Sequence, residues 1–417
     1  MLVLCATASA LCAADWPEFR GPRGDGTVEG ALPVRWSETE NVRWKTAIPF
    51  KGWSTPVVMD GRVWLTTATE DGHEFYGICL DAESGAILFN EKLFSCDNPE
   101  PLGNEVNCYA SPSPVIEPGR VFLHFGSYGT ACLDTATFKT LWTRTDLPCR
   151  HFRGPGSSPI MFENLLILTF DGADVQYSAA LEKETGKTVW RTDRTSNWKD
   201  LDENGQPQRE GDFRKSFCTP FVIDAAGHRQ LITTSSYSVF SYDVRTGAEL
   251  WKIDHEAYSP APRPVFGNGL VHVITGRGKN AVLAVRPDGS GDVSATHVAW
   301  KAEGKLVPLE PSPLLLDGLL YLLSNDGTLT CLDAASGTEV WSARIGGSYV
   351  SSPVHADGLI YCFSTNGKTT VIKAGRTYGE VAENRLDEGF MASPAVIGND
   401  FILRTKTHLY RIGNTAK

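Results

Sequence analysis

The chain has 417 residues, with 49 acidic against 39 basic residues and a formal net charge of −10. This balance excludes nucleic acid as a partner, because a protein that neutralises phosphates needs a surplus of Lys and Arg. A hydrophobic share of 41% is enough for a packed core and excludes disorder. The 40 Gly, 24 Pro and 19 Phe favour β structure over helix.

The N-terminus reads as a secretory signal peptide over residues 1–14. An apolar stretch is followed by small residues, and Cys12 and Ala14 fit a cleavage site before Asp15. The positively charged leading region is lacking, so either the true start lies upstream or Met1 is not the initiator. No later stretch reaches the 18 or more apolar residues of a membrane span. We therefore expect an exported monomer, periplasmic or secreted, with no membrane span.

Eight internal repeats follow the signal, and each begins with a short element rich in Ser, Thr and Pro. A brief apolar run comes next, then a tight turn, then a second run such as "DGRVWLTT" or "DGLLYLLS". Apolar and β-branched runs flanked by Gly, Asn or Asp are typical of β-strands joined by turns. The elements stand at Ser54, Ser111, Ser157, Cys218, Ala261, Pro311, Ser351 and Ala392.

Each repeat then continues with a third run, a turn and a fourth strand. The pattern is clearest in "LEKETGKTVW", "YDVRTGAELW" and "LDAASGTEVW". Four antiparallel strands repeated eight times predict an all-β, eight-bladed β-propeller, with residues 15–40 as an N-terminal extension and residues 41–417 as one domain. The last repeat is one strand short, and "NVRWKTAIP" from Asn41 has no preceding strands. We expect residues 41–48 to pair near Leu409 and complete the last blade, which removes two exposed sheet edges.

One position of the fourth strand repeatedly holds a tryptophan. A large ring there fills the widening wedge between blades, and truncating such a buried ring costs roughly 3 kcal/mol or more. Cys79, Cys132 and Cys331 share another repeat position and are expected to be small buried packing residues. The tryptophans are Trp142, Trp190, Trp251, Trp300 and Trp341.

The repeated "LDxxTGxxxW" pattern resembles the pyrroloquinoline-quinone (PQQ) type propeller repeat and covers nearly the whole mature chain. That family contains quinoprotein alcohol and sugar dehydrogenases, and also cofactor-free propellers such as the outer-membrane β-barrel assembly lipoprotein, the BamB-like branch. The resemblance implies the propeller fold in either case. It implies the cofactor in the first group only, because the Trp and Gly of the repeat serve blade packing in both.

The alternative function is a PQQ- and Ca²⁺-dependent alcohol or sugar dehydrogenase. The resemblance implies that such an enzyme often places an adjacent cysteine pair beside the quinone, and no Cys-Cys pair occurs here. A Cys-x-x-Cys-His haem motif is also absent from the sequence. A hydrolytic site at Cys149, His151 and Ser157 lacks a Gly-x-Ser-x-Gly elbow. We therefore favour a non-catalytic scaffold without a cofactor.

Two local features of the sequence predict a candidate metal site and a candidate disulfide. "DLDENG" places Asp200, Asp202 and Asn204 like the first half of a calcium loop, although the twelfth position is Gly211 instead of Glu. The alternative is a solvated hairpin tip. Cys96 and Cys108 lie in irregular connections, and in an exported protein they are the pair that we expect to form a disulfide.

The segments between one blade's outer strand and the next blade's inner strand differ from repeat to repeat and hold large polar and aromatic residues. Propellers commonly bind partners at the mouth of the central channel, and aromatic side chains beside Arg are frequent hot spots. We predict a channel-mouth site for a protein or glycan of the cell envelope, in which Trp53, Arg153, Phe217 and Tyr258 converge. The full set of candidates is Trp53, Tyr109, His151, Arg153, Lys215, Phe217, His255, Tyr258, Glu310, Tyr349 and Phe390.

Overall fold

The computed structural model describes residues 15–414, so the predicted signal peptide lies outside the described residues. The chain forms the predicted all-β propeller of eight blades, which are mostly four-stranded antiparallel sheets. Two strands precede the first blade: β1 (Thr27–Val28) and β2 (Val42–Ala47). Blades 1 and 2 contain β3 (Val57–Met59), β4 (Arg62–Ala68), β5 (Glu74–Asp81), β6 (Ile87–Ser95), β7 (Val115–Glu117), β8 (Arg120–His124), β9 (Thr130–Asp134) and β10 (Thr140–Arg144).

Blades 3 to 5 follow the same order, from the inner to the outer strand. Blades 3 and 4 contain β11 (Ile160–Phe162), β12 (Leu165–Asp171), β13 (Gln176–Glu182), β14 (Thr188–Asp193), β15 (Phe221–Ala225), β16 (His228–Ser235), β17 (Ser238–Asp243) and β18 (Glu249–Asp254), with a 3₁₀ helix at Gln208–Arg214 between them. Next come β19 (Ala257–Tyr258), β20 (Val265–Gly267), β21 (Leu270–Ile274), β22 (Arg277–Gly278), β23 (Ala281–Val285), β24 (Gly291–Asp292) and β25 (Val298–Glu303). Blade 5 is built from β20, β21, β23 and β25, β24 is added to blade 4, and β19 pairs with β22.

Blades 6 to 8 complete the ring. They contain β26 (Leu314–Leu316), β27 (Leu319–Leu323), β28 (Thr328–Asp333), β29 (Glu339–Arg344), β30 (Val354–Ala356), β31 (Leu359–Phe363), β32 (Lys368–Lys373), β33 (Glu380–Arg385), β34 (Ala395–Ile397), β35 (Asp400–Arg404) and β36 (His408–Ile412). Within the part of the chain that the structure describes, no helix is long and apolar enough to cross a membrane.

The hydrophobic core lies between neighbouring blades instead of in one central mass. Every residue of β12, a second strand, is buried, because both faces of its sheet pack against another blade. The outer strand β25 alternates between half-buried and exposed residues, since only one of its faces meets a neighbour. The predicted packing cysteines Cys79, Cys132 and Cys331 are fully buried in these interfaces.

The ring closes as the sequence predicts. Strand β2 pairs antiparallel with β36, with Thr46 opposite Leu409, so blade 8 receives its outer strand from the N-terminal side of the chain. The buried guanidinium of Arg404 strengthens the same closure, because it donates to the carbonyl and hydroxyl oxygens of Ser54 and to the Thr66 carbonyl in blade 1.

The repeated tryptophan contacts the turn of the following blade. The Trp300 indole lies against Gly337, and its Nε1–H donates to the Ala334 carbonyl at 3.0 Å. Gly337 has φ +72°, and a Cβ there would lie 2.7 Å from the ring, so glycine is required both by conformation and by the close approach. The same contact recurs for Trp44 on Gly85, Trp142 on Gly186 and Trp190 on Gly247.

Trp251 departs from this pattern. Its Nε1–H donates to Gln230 within its own blade, at 2.9 Å. In blade 5 a longer connection that contains β24 replaces the usual tight turn, and β24 pairs with β18 instead. The next blade therefore offers Trp251 no turn glycine to pack on.

The Ser/Thr/Pro elements form hydrogen bonds around the channel. In six of the eight, the residue before proline presents a hydroxyl that accepts a backbone N–H from the preceding blade; the Thr55 N–H donates to Ser113 at 2.9 Å and the Ser312 N–H to Ser352 at 3.0 Å. In blade 5, Arg263 replaces the hydroxyl residue. Its guanidinium donates to Phe19 O and forms a 2.9 Å ion pair with Glu18.

This arginine holds the N-terminal strap, residues 16–28, across one end of the channel. The strap bonds to blade 1 through Trp16 and Val58, to blade 6 through Arg20 and Pro313, and to blade 7 through β1. Trp16 and Arg20 are almost fully buried. The predicted N-terminal extension is thus an ordered part of the ring.

The predicted disulfide is wrong. Cys96 and Cys108 are both free, as are the other cysteines of the described chain. Cys108 is enclosed in a buried turn with its Sγ 3.4 Å from Ser111 Oγ, whereas Cys96 follows β6 and its N–H bonds to His73 O. The backbone hydrogen bonds of the two turns direct the thiols to different surroundings.

Candidate functional site

The central channel contains a cavity of about 470 Å³ at the end opposite the N-terminal strap. Phe19 of the strap lies at its base. Its wall includes five of the predicted residues: Trp53, Arg153, Phe217, Tyr258 and Glu310. We call this cavity, with the side chains that line it, the mouth. Trp53, Arg153, Phe217 and Tyr258 therefore do converge in one concave surface, and their role in binding stays a prediction.

Two long connections build the rim of the mouth. In the first, between blades 1 and 2, the Asn107 side chain donates to the carbonyls of Arg153, Gly154 and Pro155 at 2.8–3.1 Å. These bonds hold the Arg153 backbone in the left-handed region, with φ 79°. The connection thereby fixes the direction in which the Arg153 side chain leaves the backbone.

The second connection, residues 200–215, is called the mouth loop here. Arg209, Glu210 and Gly211 all have left-handed φ angles, of 48°, 55° and 84°. For residues other than glycine this conformation costs of order 1–3 kcal/mol and persists only where the surroundings impose it. Gly211 is required at the third position, because a Cβ would lie 2.0 Å from Ala173 O.

The buried carboxylate of Asp200 anchors the mouth loop. It accepts from Arg214 Nε at 2.9 Å, and the Asp200 carbonyl accepts the Gln208 N–H at 2.7 Å. These bonds connect the start of the loop to its end. As a result, Arg209 and Phe213 are presented to the cavity on a fixed turn.

A cluster of opposite charges joins the mouth loop to the channel wall. Asp212 accepts a bidentate pair from Arg153 at 3.1 and 3.2 Å and also bonds to Lys215. Burial works to raise the pKa of Asp212, but the hydrogen bonds from these two cations outweigh it and lower that pKa. Phe152 lies under both cations, each 4.9 Å from its ring.

Across the mouth, Glu310 is also bonded to a cation. Arg277 and Asn325 donate to its carboxylate. Burial raises the pKa of Glu310, and these two donors partly oppose the rise. Both carboxylates of the cavity wall are therefore used in structural bonds.

The other six candidates do not line the mouth. Tyr109, Tyr349 and Phe390 are buried between blades, and Lys215 is buried beneath Asp212. His151 is also buried, whereas His255 lines a separate cavity between blades 4 and 5. Their segments do lead to the mouth, but an aromatic or imidazole ring gains more by filling the blade wedge than by facing water.

Cys149 and His151 do not form a nucleophile and base. Their Sγ and Nδ1 atoms lie 3.8 Å apart in a closed interior. Burial raises the pKa of the Cys149 thiol and lowers that of His151 to about 4. Both groups are thereby held neutral, the opposite of the thiolate and imidazolium that a cysteine hydrolase needs.

The calcium hypothesis does not fit the observed side chains. Asp200 is buried in its ion pair with Arg214, and Asp202 accepts the backbone N–H groups of Asn204 and Gln206, both at 2.8 Å. Nowhere in residues 15–414 do three acidic, His or Cys side chains come together as a metal site would require. The "DLDENG" stretch is a polar hairpin tip, the alternative reading.

Phe19, Asp212 and Phe213 also line the cavity, although they are not among the residues predicted from the sequence. The predicted residues stand close before the inner strands, whereas these three belong to the strap and to the turn of the mouth loop. One signal was available in the sequence: Arg263 interrupts a series of Ser and Thr residues, and a buried arginine needs an acidic partner. Glu18, in the conspicuous "DWPEFRGPRGDG", is that partner.

A cofactor site of the quinoprotein kind does not fit this cavity. A Ca²⁺-bound quinone needs carboxylate or amide oxygens free to coordinate the ion. Asp212 is bonded to Arg153 and Lys215, and Glu310 to Arg277 and Asn325. Both carboxylates of the cavity wall are therefore already bonded to donors of the protein itself.

Comparisons with known proteins agree with the propeller fold. Two curated relatives are the outer membrane protein assembly factors BamB of Yersinia pestis, 21% identical over 216 residues, and of Shewanella oneidensis, 22% identical over 275 residues. These matches cover 40% and 62% of this chain. The chain spans only 52% and 62% of the length of these relatives.

Solved structures show the same fold at low identity. The quinohemoprotein alcohol dehydrogenase of Comamonas testosteroni has a TM-score of 0.68 at 12% identity, with 98% of this chain and 82% of the other covered. BamB of Moraxella catarrhalis has a TM-score of 0.58 at 10% identity, with 89% and 99% covered.

Structural likeness therefore supports the propeller fold but does not separate quinoprotein dehydrogenases from BamB. A family model gives a more specific match: the model described as outer membrane protein assembly factor BamB matches residues 34–290 and 235–387. Since these ranges together run from just before β2 to just after β33, the last strand of blade 7, the chain belongs to the family of the outer membrane protein assembly factor BamB.

Proposed function

We propose that the chain is a protein-binding propeller of the cell envelope that holds segments of outer membrane polypeptides at its mouth during their assembly. The observation that supports this most is the cavity itself. It is closed by the N-terminal strap at one end, and its wall carries the aromatic side chains of Trp53, Phe213, Phe217 and Tyr258. Exposed aromatic residues in a concave surface are typical of binding hot spots.

The size of the cavity defines what it can take. A volume of about 470 Å³ lies in the range of roughly 300–1,000 Å³ for ligand pockets. It therefore admits a short stretch of extended chain and not a folded domain. The proposed role accordingly concerns a polypeptide that has not yet folded.

We also propose that this role requires neither a quinone nor a metal ion. The support is the ion pairing of Asp212 and Glu310, which leaves no free carboxylate in the cavity wall for a cation or for general base chemistry. Binding should accordingly be the same in buffer that contains EDTA.

The test is a titration of the purified protein with a labelled outer-membrane β-barrel polypeptide diluted from urea, followed by fluorescence anisotropy. Wild type should bind, and Trp53→Ala/Phe217→Ala should weaken binding at least tenfold, because two aromatic contacts are lost. Since both side chains are only partly buried, the free energy of unfolding should fall by only about 1 kcal/mol.

The matched control is Leu141→Ala/Val189→Ala, which removes two exposed apolar side chains from outer strands. This variant should bind like wild type. Equal binding by the mouth variant and the control, or complete loss of binding in EDTA, contradicts the proposed function.

A further inference from the structure

The arginines of the mouth differ in what they bond to. Three arginines line the cavity: Arg153, Arg209 and Arg277. Arg153 and Arg277 are paired with Asp212 and Glu310. Arg209 makes no ion pair with any residue of the described chain; its guanidinium lies 5.0 Å from the Phe213 ring.

The charged side chains that line the cavity carry an excess of cations. Three cationic and two acidic side chains line it, and the buried Lys215 lies behind Asp212. The full chain, by contrast, has a net charge of −10. An excess cation in the cavity wall favours an anionic group of a ligand at that place.

The unpaired hydrogen-bond donors of the mouth also favour an anionic or acceptor group on the ligand. Arg209 offers an exposed guanidinium, and the buried Nε1–H of Trp53 has no acceptor among the described residues. Both groups only donate, so an acceptor such as a carboxylate or a peptide carbonyl complements them. The rings of Phe213, Phe217 and Tyr258 line the same cavity, and the ring centroids of Phe213 and Tyr258 lie 4.6 Å apart.

The position of Arg209 is imposed by the fold. Its left-handed backbone is held between Gly211, which packs against Ala173 O, and the Asp200–Arg214 pair. An unconstrained loop would relax to a right-handed conformation. A strained residue that carries a free charge into a cavity is a frequent feature of ligand-binding turns.

We propose that the mouth selects extended polypeptide segments in which an acidic residue stands close to an aromatic one. The carboxylate bonds to Arg209, and the aromatic side chain packs among Phe213, Phe217 and Tyr258. This inference rests on the proposed function and deepens it, because it states which segments of an unfolded partner bind.

The test uses two fluorescein-labelled peptides of equal length that contain Phe, Gly and Ser, one with Asp and Glu and the other with Asn and Gln in their place. The acidic peptide should bind wild type at least tenfold more tightly than its amide twin, because a charge-assisted bond to Arg209 is lost in the twin. Its affinity should also fall as the salt concentration rises.

Variants at position 209 assign this preference to one residue. Arg209→Gln should lower the affinity for the acidic peptide to that for its amide twin. Arg209→Lys should retain most of the preference for the acidic peptide. Arg229→Gln is the control, because Arg229 is exposed and its one ion pair within residues 15–414 is with Asp224, in the β15–β16 hairpin of blade 4. It should leave the preference unchanged.

Each contrary outcome has a separate meaning. Equal affinity of wild type for the two peptides overturns the acidic preference, and the proposed function stands if both still require Trp53 and Phe217. An acidic preference that survives Arg209→Gln overturns the assignment to Arg209. If neither peptide binds, the inference is overturned, and the titration with the unfolded outer-membrane polypeptide decides the proposed function independently.

Discussion

Trp300 and Gly337 show at the residue scale why one turn and one tryptophan recur along the chain. The indole packs on the glycine of the next blade, and its N–H satisfies a carbonyl of the same turn. Each contact therefore joins neighbouring blades by burying apolar surface and by one hydrogen bond. The repeat is conserved between blades because every blade boundary poses the same packing problem.

Substitution of Gly337 by Ala tests this contact. Gly337 and Gly358 both have φ +72°, but a Cβ at Gly337 meets the Trp300 ring at 2.7 Å, whereas nothing lies within 4 Å of one at Gly358. Both variants bear the cost of a left-handed Ala. Gly337→Ala should lose about 2 kcal/mol more in the free energy of unfolding, measured with urea, because the ring must move. Equal losses would show that the docking contact contributes little.

At the scale of elements, the N-terminal strap takes the place of one hydrogen bond in the series that Ser and Thr hydroxyls form around the channel. Arg263 occupies the position that Ser or Thr takes in the other blades, and it ties the strap to blade 5 through Glu18 and Phe19. The strap in turn bonds to blades 1, 6 and 7. The strap thereby covers one end of the channel and leaves the other end open.

Breaking this ion pair should be costly. Arg263→Ser restores the hydroxyl of the repeat but leaves the largely buried Glu18 without its cation, and the free energy of unfolding should fall by about 3 kcal/mol. Adding Glu18→Gln should recover part of the loss, because the unpaired charge is then removed. Urea unfolding of wild type, both single variants and the double variant measures the coupling. Strictly additive losses would contradict the pairing.

The elements that can be predicted from the sequence are those that recur in several of the repeats. The closure through β2 follows from counting strands, and it is confirmed by the pairing of Thr46 with Leu409. The left-handed turn at Arg209 and the course of the strap could not be predicted, because neither has a counterpart in another blade. Their conformations depend on single long-range contacts such as Ala173 with Gly211.

The candidate site was predictable in part for the same reason. Sequence divergence locates the segments around the mouth, and Trp53, Arg153, Phe217 and Tyr258 do line it. Sequence divergence does not show whether an aromatic ring faces the cavity or packs in the wedge between blades. Tyr109 and Phe390 were predicted at the mouth but are buried between blades. That choice depends on which neighbouring blade leaves room for the ring.

For the whole molecule, the eight blades form a closed ring, and the strap covers one end of its channel. The opening combines aromatic rings with paired and unpaired arginines, such as Arg153 and Arg209. A rigid support with irregular loops at one end suits the recognition of an irregular ligand. We expect polypeptides to bind at this opening and nowhere else on the propeller.

The most direct test is site-specific photo-crosslinking in the envelope of a living Gram-negative cell. A photoreactive phenylalanine analogue is placed at Tyr258 in the mouth or at Val189, an exposed position on the outer strand of blade 3, and adducts are identified by mass spectrometry. Adducts with outer-membrane β-barrel polypeptides should form from position 258 alone, and they should be lost in the Trp53→Ala/Phe217→Ala background. Equal adducts from position 189, or adducts at position 258 that survive the double substitution, would contradict this expectation.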